Sequence, residues 1–199
     1  MKEILRYAFF FNMYQRLIGC KKYLKKYADT FVQLKEGQSI LEIGCATGNI
    51  IEFFPKNIDY TGIDYSQNYI DYSKRKYPRY NFICRNAAED FSFGKKYDVV
   101  LCEAVIVCLT DNEVEKVFNN IKNHVHKNSR IIISDLNYSK TNTFWQNFFL
   151  SHERGKNLRD EENYRKLISK FFRINKVTIL NNIYRIPYSR AVFECSPIL

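Results

Sequence analysis

The chain has 199 residues, of which 26% are charged and 46% hydrophobic, so it is long enough to bury the core of one globular domain. Its 7 glycines and 4 prolines are too few for a collagen-like or low-complexity chain. No apolar run reaches the roughly 20 residues that a membrane-spanning helix needs, and the apolar stretch 7–11 is too short for a secretory signal. The six cysteines form no C-x-x-C pair, which is typical of reduced thiols, so we expect a soluble cytoplasmic protein.

The net charge of +10 is distributed unevenly along the chain. Residues 1–35 carry an excess of +6 and residues 151–199 an excess of +5, whereas residues 36–150 carry −1. Such an excess indicates either solvated helix faces or an anionic partner, such as RNA, a membrane surface or an acidic substrate. The basic ends are therefore candidates for binding RNA or an anionic surface, although no RNA-binding module is recognisable.

The periodicity of the apolar residues changes along the chain. Helical spacing gives way to short apolar strands that alternate with helices, and two β-rich runs follow. The sequence predicts helices over 3–31 with a break near Gly19, 49–54, 67–77, 110–124, 143–151 and 161–170, and strands over 39–43, 60–64, 80–84, 97–102, 130–135, 174–180 and 188–195. This alternation predicts a Rossmann-like α/β fold: a seven-stranded, mostly parallel sheet with the last strand antiparallel, helices on both faces and an N-terminal helical cap.

The loop after the first strand is the first candidate site, because ligands of such sheets bind beyond the carboxyl ends of the strands. Gly44 and Gly48, in the segment Glu42–Gly48, permit a tight turn and a close approach of the backbone to a ligand. Asp64 ends the second strand, where a carboxylate can accept hydrogen bonds from both ribose hydroxyls of an adenosine. A dinucleotide fingerprint needs a glycine where this chain has Asn49, so the spacing disfavours an NAD-dependent reductase and suits a nucleoside cofactor without a pyrophosphate.

Four segments in register resemble the class I S-adenosylmethionine-dependent methyltransferases. They are 41–48, which is similar to the first motif of that family, 60–66, 85–89 and 97–109. The resemblance spans about residues 37–136 and implies an enzyme that uses S-adenosylmethionine as its cofactor. The cofactor-binding residues that it implies are Glu42, Gly44, Cys45, Ala46, Gly48, Asp64, Tyr65, Ser66, Asn86, Ala87 and Glu103.

The resemblance also implies how these residues divide the cofactor between them. The backbone around Gly44 and Ala46 would hold the methionine end, and Asp64 would bind the ribose. Tyr65 would lie on the adenine, and residues 86–87 would face its edge. Two of these residues depart from the family pattern: Ala46 replaces the usual second glycine and narrows the loop slightly, and an asparagine at position 86 replaces the more common aspartate.

A second resemblance, to a subgroup of small bacterial methyltransferases, covers nearly the whole chain. Its members share segments similar to Met13–Gly19, Glu153–Arg159 and Arg185–Ser189. It implies one methyltransferase domain over 1–199, made of a helical cap over 1–36, a cofactor-binding core over 37–136, and acceptor-side helices and closing strands over 137–199.

One departure from the subgroup concerns the catalytic base. Its members usually carry two adjacent histidines after the fourth strand, where this chain has Val107 and Cys108. Methyl transfer needs a general base only if the acceptor must lose a proton in that step. Glu103, at the exit of the same strand, is the candidate base, and its alternatives are to bind the cofactor amine or to face solvent. The same departure leaves open a non-catalytic partner subunit that binds the cofactor.

The segment after the fifth strand is where this fold commonly binds the methyl acceptor. It contains Trp145, His152, Arg154 and Arg159, and its arginines suit an acidic group on the acceptor unless they pair with neighbouring carboxylates. We expect transfer to an oxygen or nitrogen of a small molecule. An RNA or protein methyltransferase is the alternative, although the fourth strand is followed by no N/D-P-P-Y/F motif.

We expect no metal site. His124 and His126 lie two positions apart at the end of a helix, which places them on different faces, and the sequence indicates no second carboxylate beside Asp135 at the end of the fifth strand. Cys45 and Cys108 are interpreted as small packed residues rather than nucleophiles.

Overall fold

A computed structural model of the chain describes residues 7–138, 143, 155–181, 184–185 and 188–198. The helices are α1 (Ala8–Leu17), α2 (Cys20–Tyr27), α3 (Gln67–Lys76), α4 (Asp111–Asn123) and α5 (Glu161–Ser169). The strands are β1 (Ser39–Ile43), β2 (Asp59–Asp64), β3 (Asn81–Cys84), β4 (Tyr97–Glu103), β5 (Val125–Leu136), β6 (Phe172–Asn181) and β7 (Ser189–Pro197). A π-helical turn covers Ala28–Val32, and 3₁₀ turns cover Asn49–Phe53 and Ile106–Cys108.

The seven strands form one sheet in the order β3-β2-β1-β4-β5-β7-β6. β1 to β5 are parallel, and β7 is antiparallel to both of its neighbours. Ile43 at the end of β1 pairs with Ile63 of β2 and with Cys102 of β4. The residues that follow these three, at positions 44, 64 and 103, therefore lie side by side at the carboxyl edge of the sheet, where its strand order reverses.

Helices cover both faces of the sheet, as the sequence predicted. α4 and α5 pack on one face, where Phe118 and Tyr164 belong to one buried cluster. α2 and α3 pack on the other face, where Tyr27 belongs to a second cluster. Side chains alternate along a strand, so Ile131 of β5 lies in the first cluster and Ile132 in the second.

Local sequence signals set several helix ends. Thr110 and Glu113 form a capping box that begins α4, because the Thr110 side chain accepts from the Glu113 N–H and the Glu113 carboxylate accepts from the Thr110 N–H. Ser66 caps α3 in a similar way. Gly19 separates α1 from α2 with a φ of +80°, a left-handed conformation that favours glycine. The predicted break near Gly19 is confirmed.

Two predicted elements differ from the structure. The segment 49–54, predicted as a helix, forms only a short 3₁₀ turn, because Pro55 holds Phe54 in an extended conformation and leaves no room for an α-helix after Gly48. The strand predicted over 130–135 begins earlier, at Val125. The helix predicted over 143–151 falls largely outside the described residues. No helix in the described ranges is both long and apolar enough to cross a membrane.

Candidate active site

The loop that follows β1 makes a turn that glycine alone can begin. Gly44 has a φ of +74°, and a Cβ atom built on it would lie 2.3 Å from Cγ2 of Val105. Gly48 also has a left-handed backbone, with a φ of +66°. Because Val105 follows β4, the close approach at Gly44 brings the exits of β1 and β4 together.

Asp64 fastens this loop to the end of β2. Its Oδ2 accepts a hydrogen bond from the N–H of Ala46 at 3.0 Å, and its Oδ1 accepts one from the N–H of Ser66 at 2.8 Å. The residue is only 7% exposed. A carboxylate offers about four acceptor positions, so holding the loop is compatible with accepting hydrogen bonds from ribose hydroxyls. Fastening the loop is a role that the sequence did not indicate.

Ala46 occupies a backbone conformation that disfavours its side chain. Its φ is +46°, in the left-handed region that costs a non-glycine residue about 1–2 kcal/mol. Its carbonyl accepts a hydrogen bond from the Ser73 hydroxyl of α3 at 3.1 Å. The sequence indicated a slight narrowing of the loop by the methyl group, whereas the main penalty lies in the backbone.

Glu42 and Cys45 are buried beside Tyr60 of β2. The Tyr60 hydroxyl donates to Oε2 of Glu42 at 2.5 Å. A Cβ atom on Gly62 would lie 2.7 Å from the Tyr60 hydroxyl oxygen and 2.9 Å from Sγ of Cys45, so this packing requires glycine. Burial raises the pKa of Glu42 to about 8, against the lowering effect of the Tyr60 hydrogen bond. Burial also raises the pKa of the Cys45 thiol, which fits the interpretation of Cys45 as a packed residue.

The residues implied for the adenine lie at the ends of β2 and β3. The Tyr65 side chain is 77% exposed and leaves its ring open. Oδ1 of Asn86 accepts from the N–H of Ala88 at 3.0 Å, and Nδ2 of Asn86 donates to Glu89 at 3.3 Å. The Ala87 carbonyl accepts from an α4 asparagine amide at 2.9 Å. The Asn86 side chain therefore shapes the turn after β3.

Helix α1 contacts the loop through a residue that the sequence analysis missed. Oδ1 of Asn12 accepts hydrogen bonds from the Thr47 hydroxyl at 2.7 Å and from Nδ2 of Asn49 at 2.8 Å. Nδ2 of Asn12 is buried and has no hydrogen-bond partner among the described residues. A buried amide that can still donate fits a site that takes a polar ligand.

A second polar group lies beyond β4 and β5. Oε1 of Glu103 is 3.4 Å from Nη1 of Arg190, which β7 supplies. Arg190 also donates from Nη1 to the Tyr184 hydroxyl at 2.8 Å and from Nη2 to the Ser134 carbonyl at 3.3 Å. Its guanidinium carbon lies 5.4 Å from the centre of the Tyr23 ring of α2. Only 12% of the Glu103 side chain and 4% of the Arg190 side chain are exposed.

The burial of Glu103 changes its protonation. Burial raises the pKa of Glu103, while the positive charge of Arg190 and a hydrogen bond from Tyr23 lower it. A carboxylate whose pKa is raised toward neutral pH is a better proton acceptor than an exposed carboxylate.

Arg190 was not predicted from the sequence, because its only signal was a basic residue within an apolar β-rich run.

Asp135 is a further buried carboxylate near the end of β5. Its Oδ2 accepts from the N–H of Val107 at 2.8 Å, and its Oδ1 accepts from the N–H of Leu136 at 2.7 Å. Burial raises its pKa to about 6, opposed first by Arg190. The negative charge of Glu103 also raises the pKa of Asp135, as the smallest of these effects.

The comparison with known families identifies the domain. Residues 40–128 match a family model described as a methyltransferase domain. These residues include the loop after β1, Asp64 and Glu103. Residues 40–128, less than half of the chain, are therefore similar to a methyltransferase domain. This match implies S-adenosylmethionine as the cofactor.

Solved methyltransferase structures share the fold. A TehB-like SAM-dependent methyltransferase from Corynebacterium glutamicum is 17% identical, with a TM-score of 0.63 and 86% of each chain covered. A S-adenosylmethionine-dependent methyltransferase from Clostridium acetobutylicum is 14% identical, with a TM-score of 0.71, covering 94% of this chain and 97% of that one. The mitomycin 7-O-methyltransferase MmcR is 16% identical, with a TM-score of 0.72, covering 89% and 54%. No curated protein matches the chain in sequence.

Val107 fills a packed position after β4. A Cβ atom built on Gly155 would lie 2.3 Å from Cγ2 of Val107, and the N–H of Asn157 donates to the Val107 carbonyl at 3.0 Å. Val107 is therefore a packing residue where the subgroup has a histidine. Cys108, which was also expected to pack, is exposed, so that expectation is wrong.

Arg159 has a structural role, which corrects its interpretation as an acceptor-binding residue. It pairs with Asp111 at 2.6 Å, not with the neighbouring carboxylates that were the alternative. Its remaining donors bind the carbonyls of Ile106, Leu109 and Asn157 at 2.8–3.0 Å. All of its donors are used, so none is left for an acceptor. Trp145, His152 and Arg154 lie outside the described residues.

His124 and His126 follow α4 and contact neighbouring protein groups. Nδ1 of His124 lies 2.7 Å from the Asn120 carbonyl, and its Nε2 accepts from the N–H of Phe93 at 3.1 Å. Nε2 of His126 lies 3.3 Å from Asp98. In the ranges that the structure describes, no group of three or more His, Cys, Asp or Glu residues is placed to hold a metal ion.

Proposed function

We propose that the chain transfers a methyl group from S-adenosylmethionine to an oxygen or nitrogen of a small-molecule acceptor. The observation that supports a small acceptor is the enclosure of the Glu103–Arg190 pair at the end of β4. An acceptor group that reaches this pair must lose its contact with water and fit between α2 and β7. A small molecule meets this condition better than the surface of a folded RNA or protein.

In this proposal the cofactor lies across the ends of β1 and β2. The backbone around Gly44 and Ala46 holds its methionine end, Asp64 binds its ribose, and the open ring of Tyr65 stacks on its adenine. The buried Nδ2 of Asn12, which has no hydrogen-bond partner among the described residues, supports a polar ligand on the same loop. When bound, the cofactor supplies a methyl group on a sulfonium, which makes that group transferable to a nucleophile.

Glu103 is the proposed proton acceptor of the reaction. It is placed at the exit of β4, its raised pKa suits a general base, and Arg190 fixes its carboxylate. Positioning the acceptor and excluding water supply the remaining acceleration. We propose that residues 1–36 act as the cap, 37–136 as the cofactor core and 137–199 as the acceptor side of one domain.

The experiment is a transfer assay with S-adenosylmethionine labelled on its methyl group. The purified full chain is incubated in parallel with a metabolite extract, total RNA and a protein extract, and the label is followed into each fraction. We expect label in the small-molecule fraction. Label in RNA or protein instead would refute the small acceptor, and binding of the cofactor without transfer to any fraction would refute the enzymatic function.

The role of Glu103 is tested with a matched pair of variants. Glu103→Gln keeps the shape of the side chain, so we expect loss of transfer with little change in cofactor affinity. Glu36→Gln is the control, because Glu36 is exposed and precedes β1, at the opposite edge of the sheet. If both variants transfer methyl groups equally well, Glu103 is not the base.

A further inference from the structure

One side of α1 is apolar and exposed to solvent. Nine large hydrophobic side chains are exposed among the described residues, and five of them lie in α1 or immediately before it. They are Tyr7, Phe9, Phe10, Met13 and Leu17, with 61%, 71%, 38%, 46% and 62% of their surfaces exposed. At about 100° per residue, the last four fall within an arc of about 100°. We call these four residues the apolar stripe.

The opposite side of α1 is anchored to the domain. The Ala8 N–H donates to Oδ1 of Asn68 at 2.8 Å, and the Phe11 ring lies 5.0 Å from the Tyr69 ring of α3. Asn12 accepts two hydrogen bonds from the loop after β1. Because these contacts fix the rotation of the helix, the apolar stripe cannot turn inward while they hold.

Basic residues lie on α1 and on the two helices that contact it, α2 and α3. Arg16 lies in the last turn of α1, and α2 carries the exposed Lys21, Lys22 and Lys26. Lys76 at the end of α3 is also close, since the charges of Arg16 and Lys21 both lower its pKa, after burial. We call these five residues the cationic border.

Acidic side chains neutralise little of this charge. Lys21 of the border pairs with Glu52 at 2.5 Å, and the neighbouring Lys25 pairs with Asp29 at 2.8 Å. Lys22 and Lys26 have no ion-pair partner in the part of the chain that the structure describes. The face therefore combines exposed aromatic and aliphatic side chains with an excess of positive charge.

We propose that the apolar stripe and the cationic border dock the protein on the surface of an anionic lipid bilayer. An amphipathic helix binds such a surface by placing its apolar side at the boundary of headgroups and acyl chains, and basic residues add attraction to anionic lipids. RNA phosphates would bind the basic side chains and RNA bases would stack on the aromatic rings, but neither would bury Met13 and Leu17. A second copy of this chain would bring one cationic border against another, which like-charge repulsion opposes.

The test is flotation of the full chain with lipid vesicles. We expect the protein to float with vesicles of phosphatidylcholine mixed with phosphatidylglycerol, and not with vesicles of phosphatidylcholine alone. Added salt should weaken the binding, because it screens the exposed lysines. Equal binding to both vesicle types, or binding to neither, would overturn the proposal.

The apolar contribution is tested by the double variant Phe9→Ser and Leu17→Ser. Burial of one such side chain is worth about 1.5–3 kcal/mol when complete, so removing two should lower vesicle affinity by at least about tenfold. The matched control is Ile179→Ser with Ile198→Ser, two exposed side chains on β6 and just after β7. The control variant should bind vesicles as the unchanged protein does.

The cationic contribution is tested by the double variant Lys22→Gln and Lys26→Gln. Each lysine near an anionic surface contributes about 1 kcal/mol, so the pair should lower the affinity by about 25-fold. Lys116→Gln with Lys122→Gln is the matched control, because these exposed lysines lie on α4, which packs on the other face of the sheet. Equal losses in test and control would overturn the proposal.

Two further measurements test the alternative occupants of this face, a second copy of the chain and RNA. Light scattering should give the mass of one chain, and a dimer that the Phe9 and Leu17 changes dissociate would overturn the proposal. An RNA oligonucleotide should compete poorly with anionic vesicles. RNA binding that survives the serine changes and outcompetes the vesicles would also overturn it.

Discussion

The two halves of the site are held together in different ways. In the cofactor half, the loop after β1 is positioned by glycine conformations and by N–H groups that donate to Asp64. In the acceptor half, the side chains of Glu103 from β4 and Arg190 from β7 form a buried ion pair. One half depends on backbone geometry within a short segment, and the other depends on side chains that are distant in the sequence.

The two halves also differ in the partner of a buried glutamate. Glu42 has a neutral hydrogen-bond partner, Tyr60, and burial raises its pKa to about 8. Glu103 has a cationic partner, Arg190, which opposes the effect of burial. The cofactor half should therefore tolerate an uncharged side chain at position 42, whereas the acceptor half should not tolerate the loss of Arg190.

The largest expected effect is that of Arg190→Met. Removing one partner of a buried ion pair leaves an uncompensated charge and typically costs about 3–5 kcal/mol. The loss should grow as the pH rises, because Glu103 and Asp135 have raised pKa values and take up protons at low pH. Urea unfolding at several pH values measures both effects.

The matched control for Arg190→Met is the double variant that also carries Glu103→Gln. It removes both charges of the pair, so it should recover part of the lost stability. If the single and the double variants were equally unstable at every pH, the acceptor half would not depend on this ion pair, and the contrast between the two halves would fail.

The next effect concerns Asp64→Ala and the binding of S-adenosylmethionine. Hydrogen bonds to a charged group are worth about 1.5–3 kcal/mol, so we expect cofactor affinity to fall at least about tenfold. Because Asp64 also holds Ala46 and Ser66, the thermal midpoint should fall as well. Calorimetric titration measures the affinity and a thermal melt the stability.

Asp71→Ala is the control for Asp64→Ala. Asp71 is an exposed residue on α3 whose carboxylate accepts a hydrogen bond from the Gln67 side chain. It should leave cofactor affinity unchanged. Unaltered affinity in Asp64→Ala would mean that the ribose binds elsewhere.

A smaller effect is expected from Glu42→Gln. The folded protein keeps the Glu42 proton up to about pH 8, whereas the unfolded chain releases it near the usual carboxyl pKa. The stability that the buried neutral acid contributes is therefore present at low pH and is lost as the pH rises through about 8. Relative to the glutamine variant, the unchanged protein should lose up to about 1.4 kcal/mol per pH unit between about pH 5 and 8.

Urea unfolding of both proteins at several pH values measures this difference, with Glu36→Gln as the exposed control. The control should follow the unchanged protein at every pH. Parallel pH profiles for Glu42→Gln and the unchanged protein would show that Glu42 is charged in the folded state, as an acid in the acceptor half is expected to be.

The contrast also explains what could be predicted from the sequence. The mostly parallel sheet and the tight turn with Gly44 and Gly48 could be predicted, because apolar periodicity and glycine conformations act within one strand or one loop. Arg190 could not, because its partners come from β4 and β5 and only tertiary packing brings them together. Arg159 was misinterpreted for a similar reason, since its partner Asp111 is far away in the sequence.

The smallest expected effect is that of Ala46→Gly in the cofactor half. Ala46 has a φ of +46°, and a left-handed backbone costs a residue with a Cβ atom about 1–2 kcal/mol. Glycine avoids that cost but loses about 0.5–1 kcal/mol more conformational entropy on folding. The variant should therefore be more stable by about 0.5 kcal/mol, measured by urea unfolding. Ala87→Gly, at a position without a positive φ, is the control and should be less stable. If Ala46→Gly were also less stable, the loop would be held by its side chains, and backbone geometry would not distinguish the cofactor half.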